Sequence, residues 1–557
     1  MEKLVNMKQV VEMKAQTIPE RIAFSTITKE NKLKDVTYKE FSLDNIYLGE
    51  KLLEMGLKDE FIAVLGENRY EWVVPYMTTI NGLGVIVPLD KELSKEELTN
   101  LLNRSKTKAF FYSGKFNHVI DYIKENAKEI KYFICMDETD GDSLYIYDLI
   151  NDGKKLLEKK ESEFDKLKID ENTMSMLIYT SGTTGEPKGV MLCHRNIMTV
   201  IYGAEPAMVI TQEDSALSIL PLHHTYECSC GFLYMFYKSA KITFCRGLKY
   251  IVDDMKIVQP TIMMVVPLIL ESIYTKIVKK GGKKVTIAIK VAGFLKSIGI
   301  DIRRKLFKDV HEIFGGEVKT FVSGASALNP KIAKAFDSMG FDVVQGYGLT
   351  ECAPLATVNH VKYNKLSSIG LPILGVEVAI DEPDNLDVGE ILIKGDNVML
   401  GYYHNQKETD KVVKDGWLYT GDYGKKDKDG FVYITGRKKN IIVTKNGKNI
   451  YPEEIEEVIN KSDYILESVV TTKDKNILAD TQIVAYVVPD MDTIEEGTSL
   501  EDIKQLIRDE IKMANKTFPI SKKVRDIAIF EEPFEKTSTK KIKRRTITGD
   551  IEYIGLN

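Results

Sequence analysis

Short apolar runs alternate with amphipathic segments between residues 20 and 120. The runs 61–66 and 84–89 each have the length and composition of a buried strand. Residues 71–80, which lie between them, carry apolar side chains at helical spacing, and a charged helix is predicted over 94–102. This βαβα order predicts a parallel sheet covered by helices on both faces, and therefore an α/β fold.

The pattern changes in the second half of the chain. Further α/β strands are predicted at 108–112, 132–136 and 217–222. Between 385 and 435, short apolar stretches alternate with Gly and Asp turns, which indicates a β-barrel-like or sandwich subdomain. Beyond Gly436 the chain is rich in Lys and Glu, so we place the main domain boundary near 436–440. Amphipathic helices are predicted beyond it, at 453–461 and 500–514.

Residues 285–312 alternate apolar and basic side chains. This alternation is typical of an amphipathic helix packed on a core, and also of a helix that contacts a membrane surface or an acyl chain. The sequence leaves both interpretations open. Because no run of 18 apolar residues occurs, we expect no membrane-spanning helix and at most a peripheral membrane contact.

Composition narrows the class of protein. A chain of 557 residues is expected to form about two to four packed units. The net charge of -5 argues against bulk binding of nucleic acid. Six cysteines are too few for a disulfide framework, which favours a reducing compartment. The first eight residues carry charges where a signal peptide needs an apolar run, so we expect a cytoplasmic protein.

The stretch 177–190 contains the strongest candidate site. Apolar residues lead into a run of hydroxyls and glycines that closes on Pro187, Lys188 and Gly189. Glycines allow successive backbone N–H groups to point at one anion, and the hydroxyls and Lys188 add donors and positive charge. We therefore predict a phosphate-binding loop. It is not a P-loop, because Pro187 stands where the second glycine is required and Gly189 where Ser or Thr is required.

A second candidate site lies at 345–351. Glycines flank Tyr347, which permits close backbone approach and leaves the ring able to stack on a base. Thr350 offers a hydroxyl and Glu351 a carboxylate, and Mg²⁺ prefers such oxygen ligands. A tight turn beside a core tyrosine is the structural alternative.

Two further stretches carry candidate ligand groups. Residues 321–328 read as a strand ending in small side chains, which either leave room for a ligand or allow close packing. Asp422 follows a glycine turn in 419–422, where a carboxylate can accept both hydroxyls of a ribose.

His223 and His224 lie close in sequence to Glu227, Cys228 and Cys230, a combination that could suggest zinc. No second Cys/His pair occurs at ligand spacing, and structural zinc requires four ligands. The histidines are therefore expected to be buried and satisfied, or to line a substrate pocket. A catalytic serine or cysteine is not indicated, because no Gly-x-Ser-x-Gly elbow is present.

Residues 536–545 carry six cations in ten positions, which is typical of a solvated tail or of a site for an anion. This segment resembles the closing motif of the adenylate-forming (AMP-binding) superfamily, and the stretches described above resemble other motifs of the same superfamily. The resemblance extends from about residue 15 to 545 and is greatest to bacterial long-chain fatty acyl-CoA synthetases.

The resemblance implies an architecture. A large N-terminal domain, 1–436, would contain two parallel α/β subdomains and the β-barrel-like subdomain. A hinge at 437–440 would connect it to a small, mobile α+β lid domain, 441–557. The hinge residue would be Asn440, where the family usually has Asp, Glu or Lys.

The resemblance also implies roles for individual residues. The implied ATP-binding residues are Thr180, Ser181, Gly182, Thr183, Thr184, Gly185, Lys188, Ala325, Ser326, Gly346, Tyr347, Gly348, Thr350, Asp422, Arg437 and Lys541. Thr180 and Glu351 would hold Mg²⁺, and the catalytic residues would be Lys541, His224 and Thr350. The acyl group and coenzyme A would contact His224, Thr225, Gly324 and Gly447.

The implied activity is ATP-dependent conversion of a fatty acid to acyl-AMP, followed by transfer to coenzyme A. The expected partners are small molecules, and the protein would be a monomer or homodimer. Two alternatives remain open: transfer to an acyl carrier protein, and an impaired acyl-adenylate binder. The second rests on two departures from the family pattern, Asn440 and Lys540, the latter standing where glycine is usual.

Overall fold

A computed structural model of the chain describes most of the protein. The described residues are 3–138, 141–180, 187–443, 449–473, 482–495, 497–536, 542–544, 547 and 551–556. Internal contacts divide the chain into two compact units. The first unit comprises residues 1–378 and 393–419, and the second comprises 379–392 and 420–557. The bounds of these two units differ from those of the predicted domains, 1–436 and 441–557, and the division into those domains stays a prediction.

Helices in the first unit cover its two large sheets. They are α1 Met7–Thr17, α2 Tyr38–Glu54, α3 Tyr70–Thr78, α4 Lys95–Arg104, α5 Asn117–Asn126, α6 Ile146–Leu157, α7 His194–Ala204, α8 Tyr234–Tyr237, α9 Ile251–Val258, α10 Pro267–Ser297, α11 Arg303–Leu306, α12 Lys308–Ile313, α13 Pro330–Ser338 and α14 Gln406–Val412. In the second unit the α-helices are α15 Pro452–Ile459 and α16 Leu500–Asn515. Single-turn 3₁₀ helices lie at Gly114–Phe116, Leu248–Tyr250, Thr350–Cys352, Lys438–Asn440 and Ile520–Lys522, and π-helices at Thr79–Leu83 and Tyr226–Leu233.

The strands are numbered in chain order through the described residues. Up to residue 265 they are β1 Ile22–Ile27, β2 Leu33–Thr37, β3 Glu60–Leu65, β4 Gly84–Pro88, β5 Ala109–Tyr112, β6 Tyr132–Cys135, β7 Leu144–Tyr145, β8 Met174–Thr180, β9 Lys188–Cys193, β10 Ser215–Ser218, β11 Lys241–Phe244 and β12 Ile262–Val265. From there to residue 443 they are β13 Thr320–Ser323, β14 Asp342–Tyr347, β15 Thr357–Val358, β16 Leu371–Pro372, β17 Val376–Asp381, β18 Gly389–Gly395, β19 Gly401–Tyr402, β20 Val413–Lys414, β21 Trp417–Lys426, β22 Val432–Arg437 and β23 Ile442–Val443. The rest are β24 Asn449–Ile450, β25 Ile465–Thr472, β26 Ile483–Pro489, β27 Asp526–Ile529 and β28 Ile554–Gly555.

Two largely parallel sheets form the first unit, which confirms the predicted α/β class. One sheet has the order β19-β9-β8-β4-β3-β5-β6-β7 and the other β16-β15-β14-β13-β12-β10-β11-β1-β2. The predicted strands 61–66 and 84–89 are β3 and β4, which pair in parallel with Ile62 opposite Ile86. Their side chains are buried on both faces because helices cover the sheet.

Helix α4 begins and ends close to its predicted bounds because its first turn is capped. The Ser94 hydroxyl accepts a hydrogen bond from the Glu97 backbone N–H, and the Glu97 carboxylate accepts one from the Ser94 N–H. This reciprocal arrangement satisfies two N–H groups that a helix start otherwise leaves without partners. The segment 285–312 departs from a single helix. It is the end of α10, which bends at Gly282 (φ 57°), followed by the short helices α11 and α12.

The barrel-like subdomain is an open sheet. Strands β17, β18, β20, β21 and β22 pair in a five-stranded sheet, and their pairings do not close into a barrel in the described part of the chain. In the second unit, β25-β26-β27-β28 form a mixed sheet on which α15 and α16 bury an isoleucine-rich core. That mixture of helices with parallel and antiparallel strands is the predicted α+β arrangement. Across the described residues, no helix is long and apolar enough to cross a membrane.

Candidate active site

The predicted phosphate-binding loop connects the antiparallel strands β8 and β9. Thr180 is the last residue of β8 and lies opposite Lys188, the first residue of β9. The Thr180 hydroxyl donates a long hydrogen bond of 3.5 Å to the Lys188 carbonyl oxygen. The hairpin therefore holds both ends of the loop together. The predicted ligands Ser181, Gly182, Thr183, Thr184 and Gly185 lie outside the described residues.

Lys188 is held in place by groups from the end of the first unit. Its Nζ lies 2.6 Å from Oε2 of Glu408 and 4.8 Å from the ring centre of Tyr402. The pKa of Glu408 is lowered, and the largest cause is its hydrogen bond with Lys188. The ammonium therefore has a carboxylate on one side and an aromatic face on another, and both attract its positive charge.

Tyr402 joins the first motif to the second. Its hydroxyl donates a 2.8 Å hydrogen bond to Oε1 of Glu351 while its ring lies beside Lys188. Burial, and then the negative charge of Glu351, raise the pKa of Tyr402, so this phenol is a firm donor. Thr350 precedes Glu351 in a single 3₁₀ turn, and its hydroxyl lies 3.4 Å from that of Thr225. Residues from three predicted motifs thus meet in the first unit.

The glycines around Tyr347 allow close packing. A Cβ on Gly348 would lie 1.7 Å from the Pro354 carbonyl oxygen, and one on Gly346 would lie 2.9 Å from Leu355. Tyr347 itself is mostly buried at the end of β14. These contacts and the buried ring are the features of the structural alternative, a tight turn beside a core tyrosine, and stacking of Tyr347 on a base stays a prediction.

The small residues after β13 contact residues 223–227, which we call the histidine segment. A Cβ on Gly324 would lie 2.8 Å from the ring of Tyr226, whose hydroxyl donates a 2.7 Å hydrogen bond to the Val322 carbonyl oxygen. Here close packing explains the missing side chain. Ala325 adopts a left-handed backbone (φ 69°), which is strained for a residue with a Cβ, and Ser326 is exposed. Such strain is characteristic of functional loops.

A buried polar network fixes the loop before the histidines. Asn68 donates to the Ser218 hydroxyl (2.9 Å) and to the Leu220 carbonyl oxygen (2.6 Å), and its own Oδ1 accepts the Leu222 N–H (3.1 Å). The Ser218 hydroxyl donates in turn to Oε1 of Glu227 at 2.6 Å. Burial raises the pKa of Glu227 to about 8, so this carboxyl is protonated at neutral pH.

Asp90, His223 and His224 form the cluster that could hold a cation. Their ligand atoms all lie within 4.8 Å of one another, and His223 Nε2 is 3.4 Å from Asp90 Oδ1. Three ligands are one fewer than a structural zinc site uses. Cys228 and Cys230, considered from the sequence, are not part of this cluster among the described residues.

In the second unit the two residues predicted to contact the ribose lie next to each other. Asp422 on β21 lies opposite Arg437 on β22, and Arg437 Nε is 3.0 Å from Asp422 Oδ1. The neighbouring residue Gly421 donates its N–H to Glu390 Oε1, and Lys438 Nζ lies 2.6 Å from the other oxygen of Glu390. The carboxylate of Asp422 is thus oriented by a cation from the adjacent strand.

The predicted hinge residue is also held in this unit. Asn440 Nδ2 donates a 2.5 Å hydrogen bond to Oε1 of Glu453, the second residue of α15. The other two expected residues of this region, Gly447 and Lys541, lie outside the described residues.

Comparison with known proteins decides the family. The sequence profile of the AMP-binding enzyme family matches residues 11–403, and that of the AMP-binding enzyme C-terminal domain matches residues 439–552. The chain belongs to the AMP-binding enzyme family. The predicted superfamily is therefore confirmed.

Relatives of this AMP-binding enzyme include two ligases of known name. It is 29% identical to long-chain-fatty-acid–CoA ligase 5 of Rattus norvegicus, over 90% of this chain and 80% of that protein. It is 27% identical to the chloroplastic long-chain-fatty-acid–[acyl-carrier-protein] ligase AEE15 of Arabidopsis thaliana, over 92% and 81%. The anthranilate CoA ligase AuaEII, solved with anthranoyl-AMP, has the same fold, with a TM-score of 0.79 at 19% identity over 98% and 96% of the chains. The protein is thus a ligase of the AMP-binding family.

Several side chains that contact the candidate site residues or their neighbours in sequence could not be found from the sequence. Tyr402, Glu408, Asn68 and Glu390 lie outside the motifs, and each acts through a contact with a residue distant in sequence. The signal for Tyr402 is weak: a tyrosine follows a glycine in the region of short strands.

We predict that Glu227→Gln changes how stability depends on pH. The native pKa is about 8 against an ordinary value of 4.5, so between these values the native state holds a proton that the unfolded chain has lost. The free energy of unfolding of the wild type therefore falls by about 1.4 kcal/mol for each pH unit between these two pKa values, because of this group. The glutamine side chain does not titrate, so the variant lacks this fall. Thermal unfolding at about pH 5.5 and about pH 8 should show that the unfolding temperature of the variant rises relative to that of the wild type at the higher pH.

The exposed Glu158→Gln is the matched control, because its side chain lies in solvent. A difference between Glu227→Gln and wild type that stays constant with pH would show that Glu227 is ionised in the native state.

Proposed function

We propose that the protein activates a fatty acid, of long chain, with ATP and transfers the acyl group to coenzyme A. One observation carries the proposal: Tyr402 contacts both Lys188 of the phosphate-loop hairpin and Glu351 of the second motif. A cation and a carboxylate that contact the same tyrosine suit a triphosphate and the magnesium ion that accompanies it. The named relatives are a long-chain fatty acid–CoA ligase and a long-chain fatty acid ligase for a carrier protein.

In the first step a carboxylate oxygen of the fatty acid attacks the α-phosphorus of ATP. A bond forms between them, the bond to the bridging α–β oxygen breaks, and pyrophosphate leaves with that oxygen. Since the two reactants are both anionic, the site must supply positive charge. Lys188 would bind the outer phosphates, and Lys541 would bridge the carboxylate and the α-phosphate.

The donor set of the first unit fits magnesium. Glu351 offers carboxylate oxygens and Thr180 and Thr350 offer hydroxyls, all of them hard ligands of the kind that Mg²⁺ prefers. Bound there, magnesium would neutralise charge on the phosphates. Tyr402 would orient Glu351 for this purpose through its hydrogen bond of 2.8 Å.

In the second step the sulfur of coenzyme A attacks the acyl carbonyl carbon. A thioester forms, the bond from that carbon to the phosphate oxygen breaks, and AMP leaves. We propose that Lys541 withdraws by rotation of the lid domain 441–557 about the hinge 437–440, and that Gly447 gives the thiol access. The hydrogen bond from Asn440 to Glu453 supports the hinge assignment, since it ties the pivot to helix α15.

The remaining assignments concern the adenosine and acyl groups. Tyr347 would stack on adenine, and Asp422, oriented by Arg437, would accept the ribose hydroxyls. His224 and Gly324 would line the acyl group. Support comes from the geometry within each unit: the ion pair of 3.0 Å at Asp422, and the contact between Gly324 and the histidine segment.

We also propose a cytoplasmic location. All six cysteines lie in the described part of the chain, are buried and form no disulfide bond, which is the state expected in a reducing compartment.

Product analysis tests this function and its alternatives. Fatty acids of increasing chain length are incubated with ATP and Mg²⁺, and AMP and thioester are measured with coenzyme A, with acyl carrier protein, and with neither. We expect long-chain acids to give thioester with coenzyme A. If thioester formed only with acyl carrier protein, the carrier protein would replace coenzyme A as the proposed acceptor. The Arabidopsis relative is a ligase for that acceptor. Absence of acid-dependent pyrophosphate exchange would leave only a binder.

We predict that Tyr402→Phe weakens adenylation while the fold stays intact. The variant keeps the ring beside Lys188 but loses the hydrogen bond to Glu351. Hydrogen bonds to charged groups contribute about 1.5–3 kcal/mol, so kcat/KM for MgATP should fall roughly tenfold to a hundredfold. Tyr403→Phe is the matched control, because Tyr403 packs its ring on Phe61 instead. Equal activity of the two variants would remove Tyr402 from the site.

We predict that Lys541→Ala slows adenylate formation by two to three orders of magnitude while ATP still binds. A lysine about 4 Å from a unit charge, at an effective dielectric constant of ~20, contributes ~4 kcal/mol, or roughly a thousandfold in rate. Pyrophosphate exchange measures the first step and fluorescence titration measures ATP binding. Lys543→Ala is the control, since Lys543 forms an ion pair with Glu535. Normal exchange by Lys541→Ala would transfer the role to another cation.

A further inference from the structure

Helix α10 exposes a stripe of apolar side chains along its second half. Phe294 is 64% exposed, Ile287 60%, Ile298 55% and Val291 47%. Ile298 directly follows the last helical residue, Ser297. The four positions are spaced by four, three and four residues, which places them on one side of a helix with 3.6 residues per turn. The stripe is continued beyond the helix by Ile300, Ile302 and Leu306, which are also exposed.

The exposed stripe is not the core-facing side of the helix. Val285, Ala288, Ile289 and Ala292 belong to the core beneath the nine-stranded sheet. At about 100° per residue, these positions centre on the side of α10 nearly opposite the stripe. Packing on the core therefore explains one apolar side of α10 and leaves the second unexplained.

Positive charge surrounds the stripe. Residues 276–308 contain eleven Lys and Arg and one acidic residue, although the whole chain carries a net charge of -5. Lys283, Lys284 and Lys290 are exposed and flank the stripe on its two sides. Among the described residues, none of these three lysines forms an ion pair with a carboxylate, whereas Lys296 is paired with Asp337 at 2.6 Å.

We propose that this surface docks the protein on an anionic phospholipid bilayer. We call it the apolar–basic face: Ile287, Val291, Phe294 and Ile298 with Lys283, Lys284 and Lys290. The apolar stripe would enter the boundary between headgroups and acyl chains, and the lysines would contact the anionic headgroups, as in interfacial amphipathic helices. The helix would lie in the plane of the membrane, consistent with the finding that no described helix is apolar enough to cross it.

The charge of the face favours a bilayer over a second copy of the chain. A twofold interface places a patch against itself, so the lysines of one copy would meet those of the other. A membrane surface instead offers fixed negative charge beside an apolar layer, which complements both features. This inference goes beyond the proposed function, and the experiment below uses neither ATP nor acid, so each can fail alone.

Cosedimentation with vesicles tests the proposal. The full chain is mixed with large vesicles of phosphatidylcholine, or of phosphatidylcholine and phosphatidylglycerol in a two-to-one ratio. We expect binding to the anionic vesicles that weakens as salt is raised. Lys283→Gln/Lys284→Gln/Lys290→Gln should weaken partitioning roughly a hundredfold, about fivefold per lysine. Val291→Ser/Phe294→Ser should weaken it by about tenfold or more.

Matched controls alter the same residue types elsewhere. Lys154→Gln/Lys159→Gln/Lys168→Gln removes equal charge from exposed positions in and after α6, and Leu374→Ser/Leu386→Ser removes exposed leucines that are 69% and 72% accessible. Both should bind like the wild type. Thermal unfolding checks that every variant is folded.

Three outcomes would overturn the proposal. The wild type could stay in the supernatant with both kinds of vesicle, or the variants of the face could bind as well as their controls. The third is that Val291→Ser/Phe294→Ser dissociates a dimer in sedimentation velocity while no form binds vesicles, which would make the face a contact between copies. If either variant of the face is misfolded, the other variant and the salt dependence of the wild type still decide.

Discussion

The contact of Tyr402 with Lys188 and Glu351 determines how the first unit can function. It joins residues that are about fifty and two hundred positions apart, by a hydrogen bond of 2.8 Å and a ring contact of 4.8 Å. Glu408 adds a carboxylate on the lysine.

Parallel sheets make this convergence possible. Strands β13 and β14 are parallel neighbours with Ser323 opposite Gln345, so the loops that follow both strands leave the same edge. Ligand sites of α/β proteins form at such edges because the loops there can reach one another. Tyr226 then ties the histidine segment to Val322 near the end of β13, and the adjacent Thr225 contacts Thr350.

The charge state of the polar side chains differs between the buried and the exposed parts of the protein. Glu227 is enclosed and its pKa is raised by burial, so it acts as a neutral hydrogen-bonding group that holds Ser218. Glu408 stays ionised because Lys188 is bonded to it. On the outside, α10 places exposed lysines beside exposed apolar side chains, a combination that buried surfaces exclude because charge without a partner is costly there.

The sequence by itself determined the elements whose signal is local. The strands β3 and β4 and helix α4 follow from patterns within a few residues. The phosphate-binding loop before Lys188 is a prediction from the same kind of local pattern. Asp422 is a candidate from its glycine turn and Arg437 from the family resemblance, whereas the ion pair between them is seen only in the structure. Only the tertiary structure decided which distant residues support them, such as Tyr402, and that the barrel-like region is an open sheet. The reason is physical: such contacts depend on where strands are placed relative to one another, and no local pattern of side chains records that placement.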